Sequence, residues 1–294
     1  MPSVEESPAN LRRPPLTWLY VPGDRPDRVV KAMASSADVV IVDLEDAVAA
    51  PAKERAREIV VALLGGRGPE LVEGLIPVQV RVNHPRSPWG AQDLAMVRGL
   101  PAWVGVRLPK CESPDEVLEV AHLVGPRPLH LLIESAFGVE QSFALATSHP
   151  RVASITLGEA DLRADLGVAG DGGLLWSRGR LVSASVAAGL GPPAMSVHPD
   201  IRDVAGLLAS CRMGKGLGFL GRTAIHPTQL DPIRTAFSPT ADELARAREV
   251  LAGAESGASR GRGALVLADG RFVDEAVVRQ ARRVVARADD ETDS

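Results

Sequence analysis

Short apolar runs rich in Val, Ile and Leu alternate with longer amphipathic stretches, and this alternation constrains the fold more than any other feature of the sequence. A short apolar run bounded by turn residues is typical of a buried strand, whereas a longer amphipathic stretch is typical of a helix. Strands that alternate with helices form parallel sheets. The eight runs that we interpret as strands are 17–21, 38–44, 76–82, 103–109, 128–134, 152–158, 193–197 and 222–226.

The stretches between these runs predict helices at 26–35, 52–64, 114–124, 138–147, 174–189 and 200–213. Eight strand–helix units predict an α/β protein with a TIM (β/α)8 barrel, and a doubly wound open sheet is the alternative. The composition suits a parallel sheet because 45% of the residues are apolar but only 3% are aromatic. The core must therefore be aliphatic, as expected for strands that are buried on both faces.

The pattern changes after residue 227. A helix is predicted at 240–254, where Thr240 and Glu243 have the spacing of a capping box. A hairpin with Asp269-Gly270 at its turn and a last helix at 274–288 follow. We therefore expect three parts: a disordered lead-in at 1–15, a barrel catalytic domain at 16–236, and a helix–hairpin–helix extension at 237–294 that packs on a neighbouring subunit.

Charge and hydropathy exclude several classes of function. The formal net charge is −4, which does not favour a nucleic-acid or membrane surface. The sequence contains no apolar run of 18 residues, and its first residues lack the apolar core of a signal peptide. Its two cysteines, Cys111 and Cys211, do not form a disulfide framework. We expect a cytoplasmic protein with no nucleic-acid and no membrane partner.

Charged residues follow several of the predicted strands. In a barrel the carboxyl ends of the strands converge on one mouth, so these residues are expected to lie close together. The residues are Glu45 and Asp46 of "DLED", Arg81, Lys110 of "RLPK", Glu134, and Glu159 and Asp161 of "GEAD". Clustered carboxylates need a compensating cation, and a pair of them with open positions suits Mg²⁺. Arg81 could bind a substrate carboxylate with its planar guanidinium.

Simpler interpretations remain open for single residues. A lone acidic residue after a strand is more often a cap or a rim charge, and Asp274 stands where a helix N-cap belongs. The match of "GLGFLG" (216–221) to a dinucleotide-binding motif has the wrong context, since it follows a helix and precedes a strand. The coincidence of several charged groups at one mouth favours a functional site.

A family resemblance adds to this interpretation. The segment "WLYVPGDRPDRVVKAMASSADVVIVDLEDAVAAPAKERAR" and the later motifs "VRVN", "RLPKCES", "LLIESAFGV", "LGEADLRADLG", "AIHPTQL" and "GRFVDEAVVRQARRVVARA" resemble citrate lyase beta-subunit-like proteins of the HpcH/HpaI aldolase superfamily. The resemblance runs from about residue 16 to 288. It implies a TIM barrel with a C-terminal helical extension, frequently assembled as a homotrimer.

The resemblance also implies a reaction. Members cleave or form carbon–carbon bonds in 3-hydroxyacyl thioesters, and some hydrolyse malyl-CoA or make malate. We therefore expect an Mg²⁺-dependent lyase that acts on a CoA thioester and a small 2-oxo acid such as glyoxylate, pyruvate or oxaloacetate. The alternatives are a malyl-CoA thioesterase, a malate or citramalate synthase, and a non-catalytic barrel that binds an acyl thioester.

Site residues are implied motif by motif. By the resemblance, Glu134 and Asp161 are the Mg²⁺ ligands, Arg81 holds the oxo-acid carboxylate, and Glu45 and Asp46 hold metal-bound water. Further substrate contacts are implied for Gly158, Glu159, Ala160 and Lys110. Asp274 resembles an acid that the extension delivers into a neighbouring subunit, where it would deprotonate an acetyl thioester.

The sequence departs from the family pattern at a few positions. Leu16 stands where many members have Arg, and Arg222 replaces the usual Lys before "IHP". The stretch "GPPAMSVHPDIRD" around the seventh predicted strand replaces one that usually carries acidic residues. The loop "GVAGDGGLLWSRGRL" is closer to the pattern, and its Arg178 and Arg180 are expected to contact phosphate.

Overall fold

The computed structural model describes residues 14–66, 76–258, 265–267 and 270–292. Within them, residues 15–237 form one compact unit built on a parallel sheet of seven strands. The strands are β1 (Thr17–Pro22), β2 (Val39–Asp43), β3 (Val78–Arg81), β4 (Gly105–Leu108), β5 (Leu129–Ile133), β6 (Val152–Leu157) and β7 (Arg222–Ala224). They pair in the order β6-β5-β4-β3-β2-β1-β7. Six of the eight predicted strands thus lie side by side in chain order, and β7 joins beside β1.

Helices separate the strands. They are α1 (Pro26–Met33), α2 (Lys53–Leu64), α3 (Gly90–Arg98), α4 (Pro114–Val124), α5 (Ala136–Glu140), α6 (Ser142–Thr147), α7 (Glu159–Leu166), α8 (Leu175–Ala187), α9 (Val204–Leu217) and α10 (Leu230–Phe237). The strands are buried because parallel sheets of this kind are covered on their faces by helices: Val40, Ile41 and Val42 are fully inaccessible. No described helix has both the length and the apolar character that a bilayer span requires.

The predicted strand at 193–197 is wrong. Among the described residues, this segment contributes a single bridge, in which Met195 pairs in parallel with Arg222 of β7. Pro192 and Pro193 have no backbone N–H to donate to a ladder. Met195 exchanges backbone hydrogen bonds with Gly221 and Thr223. The next donor in register, the Ile225 N–H, instead donates to Gln229 Oε1 at 2.9 Å, so that a side chain replaces the next ladder bond.

The helix predicted at 200–213 begins later, at Val204, because Asp203 caps it by accepting a hydrogen bond from the Gly206 N–H. It ends at Gly218, which has a left-handed backbone (φ 97°). Gly221 also has a positive φ of 78°, and a Cβ there would lie 2.4 Å from the Leu16 carbonyl oxygen. The glycines of "GLGFLG" therefore serve a helix-to-strand connection, and no dinucleotide fingerprint is present there.

The residues after Ser238 form a second unit. It contains α11 (Ala241–Ala258), the antiparallel pair β8 (Leu265–Val266) and β9 (Phe272–Val273), and α12 (Glu275–Thr292). The predicted capping box is confirmed: Thr240 N–H donates to Glu243, and Glu243 N–H donates to Thr240 Oγ1. Gly270 has the positive φ of a hairpin turn (88°), whereas Asp269 and most of the predicted lead-in lie outside the described residues. This unit has its own small aliphatic core around Val250, Val273 and Val278.

Candidate active site at the carboxyl edge of the sheet

Asp43 and Arg81 form the structural centre of the charged groups at this edge. They are the last residues of β2 and β3 and stand in register. Arg81 Nε donates to Asp43 Oδ1 at 2.7 Å, and its Nη2 donates to Oδ2 at 2.6 Å. Burial opposes the charge on Arg81, but its hydrogen bonds to Asp43 prevail and raise the pKa of Arg81. The guanidinium also lies over the ring of Tyr20, 5.1 Å from its centroid.

The acids that follow β2 lie against the same guanidinium. Arg81 Nη1 is 3.1 Å from Glu45 Oε2 and 3.4 Å from Asp46 Oδ2. Asp43 fixes their backbone by accepting hydrogen bonds from the N–H groups of Glu45 and Ala47. Glu45 is buried and Asp46 is exposed. Burial raises the pKa of Glu45 even though Arg81 and Lys110 oppose this shift.

Lys110 joins this group to the next strand. It follows β4 with φ 53°, a left-handed conformation that is uncommon for a residue with a side chain. Its ammonium lies 2.5 Å from Glu45 Oε1, and its backbone N–H donates to Glu134 Oε2 at 3.1 Å. Burial opposes the charge on Lys110, but the hydrogen bond to Glu45 prevails and raises the pKa of Lys110. One residue therefore positions two carboxylates, and its strained backbone supports a functional role.

Glu134 is a buried carboxyl group whose surroundings disfavour its charged form. It follows β5 and is 6% exposed. Burial, and then the negative charges of Glu45 and Asp161, raise the pKa of Glu134 to about 8. Its carboxylate lies against Gly158: a Cβ at that position would be 2.3 Å from Glu134 Oε1. The missing side chain of Gly158 is thus what leaves room for the carboxylate.

Two neighbouring cavities open at this edge. One, of about 500 Å³, is lined by Glu45, Asp46, Val48, Ala50, Lys53, Asn83, His84, Arg86, Ser87, Trp89 and Lys110. The other, of about 430 Å³, is lined by His84, Arg86, Lys110, Glu112, Glu134, Ser135, Asp161 and Asp165. His84, Arg86 and Lys110 line both. Glu134 and Asp161, which are far apart in sequence, thus face one space.

The "GEAD" turn separates into two environments. Asp161 is exposed in the first turn of α7 and lines the smaller cavity, and Ala160 beside it is also exposed. Glu159 is buried, and its carboxylate accepts two hydrogen bonds from Arg178, at 2.8 and 2.6 Å. Arg178 is 1% exposed, so the expected phosphate contact by Arg178 is wrong. The Glu159 side chain is likewise engaged within the protein, although it was expected to contact substrate.

Some groups at this edge were missed by the sequence analysis. Asp43 was seen as part of "DLED" but was given no role, although it is the main partner of Arg81. Lys53, near the start of α2, reaches back to the end of β2, and no local pattern signals this contact. In the smaller cavity, Ser135 Oγ donates to Glu112 Oε1 at 2.5 Å, and the Ala136 N–H donates to Asp165 Oδ2 at 2.7 Å.

The donor set fits a divalent cation held by few protein ligands. Among the described residues, no group of three or more His, Cys, Asp or Glu side chains is arranged to bind a metal ion. Glu134 and Asp161 offer carboxylate oxygens at an open cavity, and burial together with the neighbouring acids Glu45 and Asp161 raises the pKa of Glu134. Mg²⁺ is bound in this way, by one or two carboxylates together with waters and substrate oxygens.

Asp274 belongs to the second unit. Its Oδ1 accepts a hydrogen bond from the Val277 N–H at 3.0 Å, and its carbonyl oxygen accepts one from the Val278 N–H. It therefore caps α12. This contact agrees with the simpler interpretation of Asp274, and its expected role in a neighbouring subunit stays a prediction.

Parallel α/β proteins of this kind bind their ligands at the carboxyl edge of the sheet, and the carboxylate-lined cavity of this chain lies at that edge. Residues 16–227 match the family model described as HpcH/HpaI aldolase/citrate lyase. The chain belongs to this family.

Three individual proteins show what this chain is similar to within the family. Two enzymes of Cereibacter sphaeroides are each 32% identical to this chain. One is a (3S)-malyl-CoA thioesterase, with 96% of this chain and 97% of that protein covered; the other is an L-malyl-CoA/beta-methylmalyl-CoA lyase, with 98% of both covered. The crystal structure of CitE from Mycobacterium tuberculosis with magnesium, acetoacetate and coenzyme A has a TM-score of 0.80 and 34% identity, covering 95% of this chain and all of that one.

Proposed function

We propose that this protein is an Mg²⁺-dependent carbon–carbon lyase that cleaves, or forms, a 3-hydroxyacyl-CoA thioester of the malyl, citramalyl or citryl type. The observation that carries the proposal is the position of Glu134: a buried carboxylate, 6% exposed, that lines the same cavity as Asp161. Such a site favours a cation. The family and the CitE complex with magnesium and coenzyme A support this cation and this substrate class.

Glu134 and Asp161 would hold Mg²⁺ in the smaller cavity. When bound, the ion would polarise the carbonyl of the 2-oxo acid as a Lewis acid. The Lys110 N–H orients Glu134 by holding one of its oxygens. Glu45 and Asp46 face the adjoining cavity, where they would hold water and keep the site's geometry. The fold that carries them is proposed to be a TIM-type barrel. In it, segment 193–197, which lies between β6 and β7 in the chain, takes the place of the missing strand.

A substrate carboxylate could bind Arg81 at the edge that Glu45 and Asp46 now contact, by displacing those contacts. Asp43 takes the Nε–H and one Nη2–H, so the edge formed by Nη1 and the other Nη2–H is the one that could bind substrate. Nη1 now lies nearest to Glu45 and Asp46. We propose that a 2-oxo-acid carboxylate binds this edge, with Gly158, Ala160 and Lys110 as further contacts.

The reaction itself is a retro-Claisen cleavage. The 3-hydroxyl loses its proton, the bond to the thioester α-carbon breaks, and its electrons form a thioester enolate. Protonation of that enolate gives the released acyl thioester, and the remainder leaves as the 2-oxo acid. Asp274 from a second copy, in a homotrimer, is the proposed proton-transfer group at the α-carbon. Such a group contributes roughly 10²–10⁴-fold to the rate.

Hydrolysis is the second candidate function. The thioesterase and the lyase from Cereibacter sphaeroides are equally similar to this chain, at 32% identity each. Overall similarity therefore does not select between cleavage of the carbon–carbon bond and cleavage of the thioester bond. Both reactions would use the same metal and the same malyl group, and they differ in whether water reaches the thioester carbonyl.

One assay separates these reactions. Purified protein is incubated with (3S)-malyl-CoA and Mg²⁺, and the products are identified by mass spectrometry. The lyase gives acetyl-CoA and glyoxylate, the thioesterase gives malate and free CoA, and EDTA abolishes either reaction. Methylmalyl-, citramalyl- and citryl-CoA extend the series. If none of the four esters is turned over while Mg²⁺ still binds, the proposal fails and the non-catalytic thioester-binding barrel gains support.

A further inference from the structure

Lys53 has an unusual environment for a lysine. It is only 6% exposed, and its ammonium donates to three oxygens, each at 2.7 Å. These are the carbonyl oxygens of Leu44 and Glu45 and the side-chain oxygen of Asn83. An ammonium has three N–H donors, so all of them are used and the charged form fits this cradle.

The three oxygens around the Lys53 ammonium, which form its cradle, are in turn positioned by further hydrogen bonds. Asn83 Nδ2 donates to the Leu44 carbonyl at 2.8 Å and to Asp93 Oδ2 at 2.6 Å. Asp93 also accepts from the Asn83 N–H and pairs with Arg57. The ring of Trp89 covers the ammonium, with its centroid 5.0 Å from Nζ. Lys53 is therefore fixed by α3 and by the end of β3, and its position does not depend on substrate.

The two backbone carbonyls in the cradle belong to the turn that carries the acids after β2. Leu44 and Glu45 both direct their carbonyl oxygens at one cation, which defines the path of the chain between Asp43 and Asp46. The Glu45 side chain leaves this backbone toward Arg81 and Lys110. A shift of the turn would therefore move the Glu45 carboxylate away from both of its partners.

Stability alone does not account for a lysine here. Burial disfavours its charge and lowers the pKa of Lys53, although Asp43 and Asp93 oppose this shift. Well-packed apolar side chains frequently match or exceed buried charged groups in stability. The advantage of the ammonium is that it fixes two consecutive carbonyls at once.

We propose that Lys53 is a positioning residue of the active site: its ammonium holds the Leu44–Glu45 backbone and thereby places the Glu45 and Asp46 carboxylates. The expected effect of Lys53 on turnover rests on the proposed function. Its expected effect on the Leu44–Glu45 turn rests only on the three hydrogen bonds that its ammonium donates. Lys53 acts through the backbone and does not contact the reacting atoms.

The test compares Lys53→Met with Arg127→Met. Arg127 is a matched control because it is also a buried cation, 2% exposed, that donates to backbone carbonyls, those of Val124, Pro101, Val104, Arg98 and Leu100. These carbonyls lie at the amino edge of the sheet. With (3S)-malyl-CoA and Mg²⁺, Lys53→Met should lower kcat by about 10–100-fold with a smaller change in KM, whereas Arg127→Met should leave both unchanged.

A double variant tests whether Lys53 acts through Glu45. If it does, Lys53→Met should have much less effect in a Glu45→Gln background than in the wild type. Independent effects would instead multiply to within about twofold, and that result would overturn the proposal. Equal losses of kcat in Lys53→Met and Arg127→Met would also overturn it, since both would then be general effects of losing a buried cation.

Hydrogen exchange gives a readout that does not need turnover. In a peptide spanning 44–48, amide exchange should be faster in Lys53→Met than in the wild type and unchanged in Arg127→Met. Unchanged exchange in Lys53→Met would refute the positional role even if the enzyme proved inactive on every thioester. If Lys53→Met does not fold, Lys53→Gln keeps an uncharged donor of similar length and should show the same changes at smaller size.

Discussion

The two edges of the parallel sheet differ in how their charged groups are compensated. At the amino edge, Asp38 accepts hydrogen bonds from the N–H groups of Leu16 and Thr17 and from Thr17 Oγ1, and it pairs with Arg234. At the carboxyl edge, Glu45 Oε2 pairs with Arg81 but accepts no hydrogen bond within the described part of the chain, and Glu134 has a pKa of about 8. The amino edge resembles a completed structural network, whereas the carboxyl edge retains negative charge that a ligand can compensate.

Burial affects both a base and an acid at β5. His130 lies within β5, beside Ser154 of β6, and Glu134 comes immediately after the last residue of the strand. Burial lowers the pKa of His130 to about 3 and raises that of Glu134 to about 8. Burial therefore disfavours the charged form of each group. A histidine is stable as the neutral form at neutral pH, whereas the glutamate at a cavity favours the arrival of a cation.

The largest expected effect comes from Glu134→Gln. Removal of this carboxylate should lower Mg²⁺-dependent turnover by roughly 10²–10³-fold. The protein would then bind less tightly the Mg²⁺ that would stabilise negative charge in the transition state. The same change should raise the free energy of unfolding at neutral pH by about 0.5–2 kcal/mol, because glutamine does not ionise in the unfolded chain and so removes the cost of protonating Glu134 on folding. Turnover with and without EDTA and urea unfolding measure the two effects. Full activity with unchanged Mg²⁺ affinity would show that Glu134 is not a ligand.

Arg81→Lys is expected to have the next largest effect on turnover. Lysine keeps the charge but cannot make the two parallel hydrogen bonds to Asp43, and it cannot present a second donor edge to a substrate. We expect kcat/KM to fall by about 10–100-fold and calorimetric binding of pyruvate with Mg²⁺ to weaken. If pyruvate bound with unchanged affinity while turnover fell, Arg81 would serve only to organise the acids.

The sequence predicted the order of six strands and the edge at which the charged groups meet, because strand ends converge in any parallel sheet of this kind. It did not predict the distribution of contacts within that edge. Arg178 lies in a loop whose sequence was consistent with phosphate binding, yet its guanidinium donates two hydrogen bonds to Glu159. Lys53 contacts residues that are 8 to 30 positions away. Such contacts depend on tertiary structure, which local patterns do not encode.

Asp38→Asn tests the amino edge of the sheet, where the charged groups are compensated. It is the same kind of substitution as Glu134→Gln, but it removes a carboxylate that is already well compensated. We expect the free energy of unfolding to fall by about 1.5–3 kcal/mol, the contribution of hydrogen bonds to a charged group. The kcat of the folded protein should not change, because Asp38 is at the amino edge. A fall in stability for Glu134→Gln and none for Asp38→Asn would reverse the assignment of the two edges.

A pH dependence of the free energy of unfolding isolates the effect of His130. Its pKa is lowered in the folded protein to about 3, with burial as the main cause and the charge of Arg107 as a further one. In the unfolded chain His130 is protonated below about pH 6.5, whereas in the folded protein it stays neutral down to about pH 3. The free energy of unfolding therefore falls as the pH falls from about 6.5 towards 3. One such group contributes a slope of at most about 1.4 kcal/mol per pH unit. In His130→Gln, this part of the slope should disappear from urea unfolding measured across that range, whereas an unchanged slope would assign it to other groups.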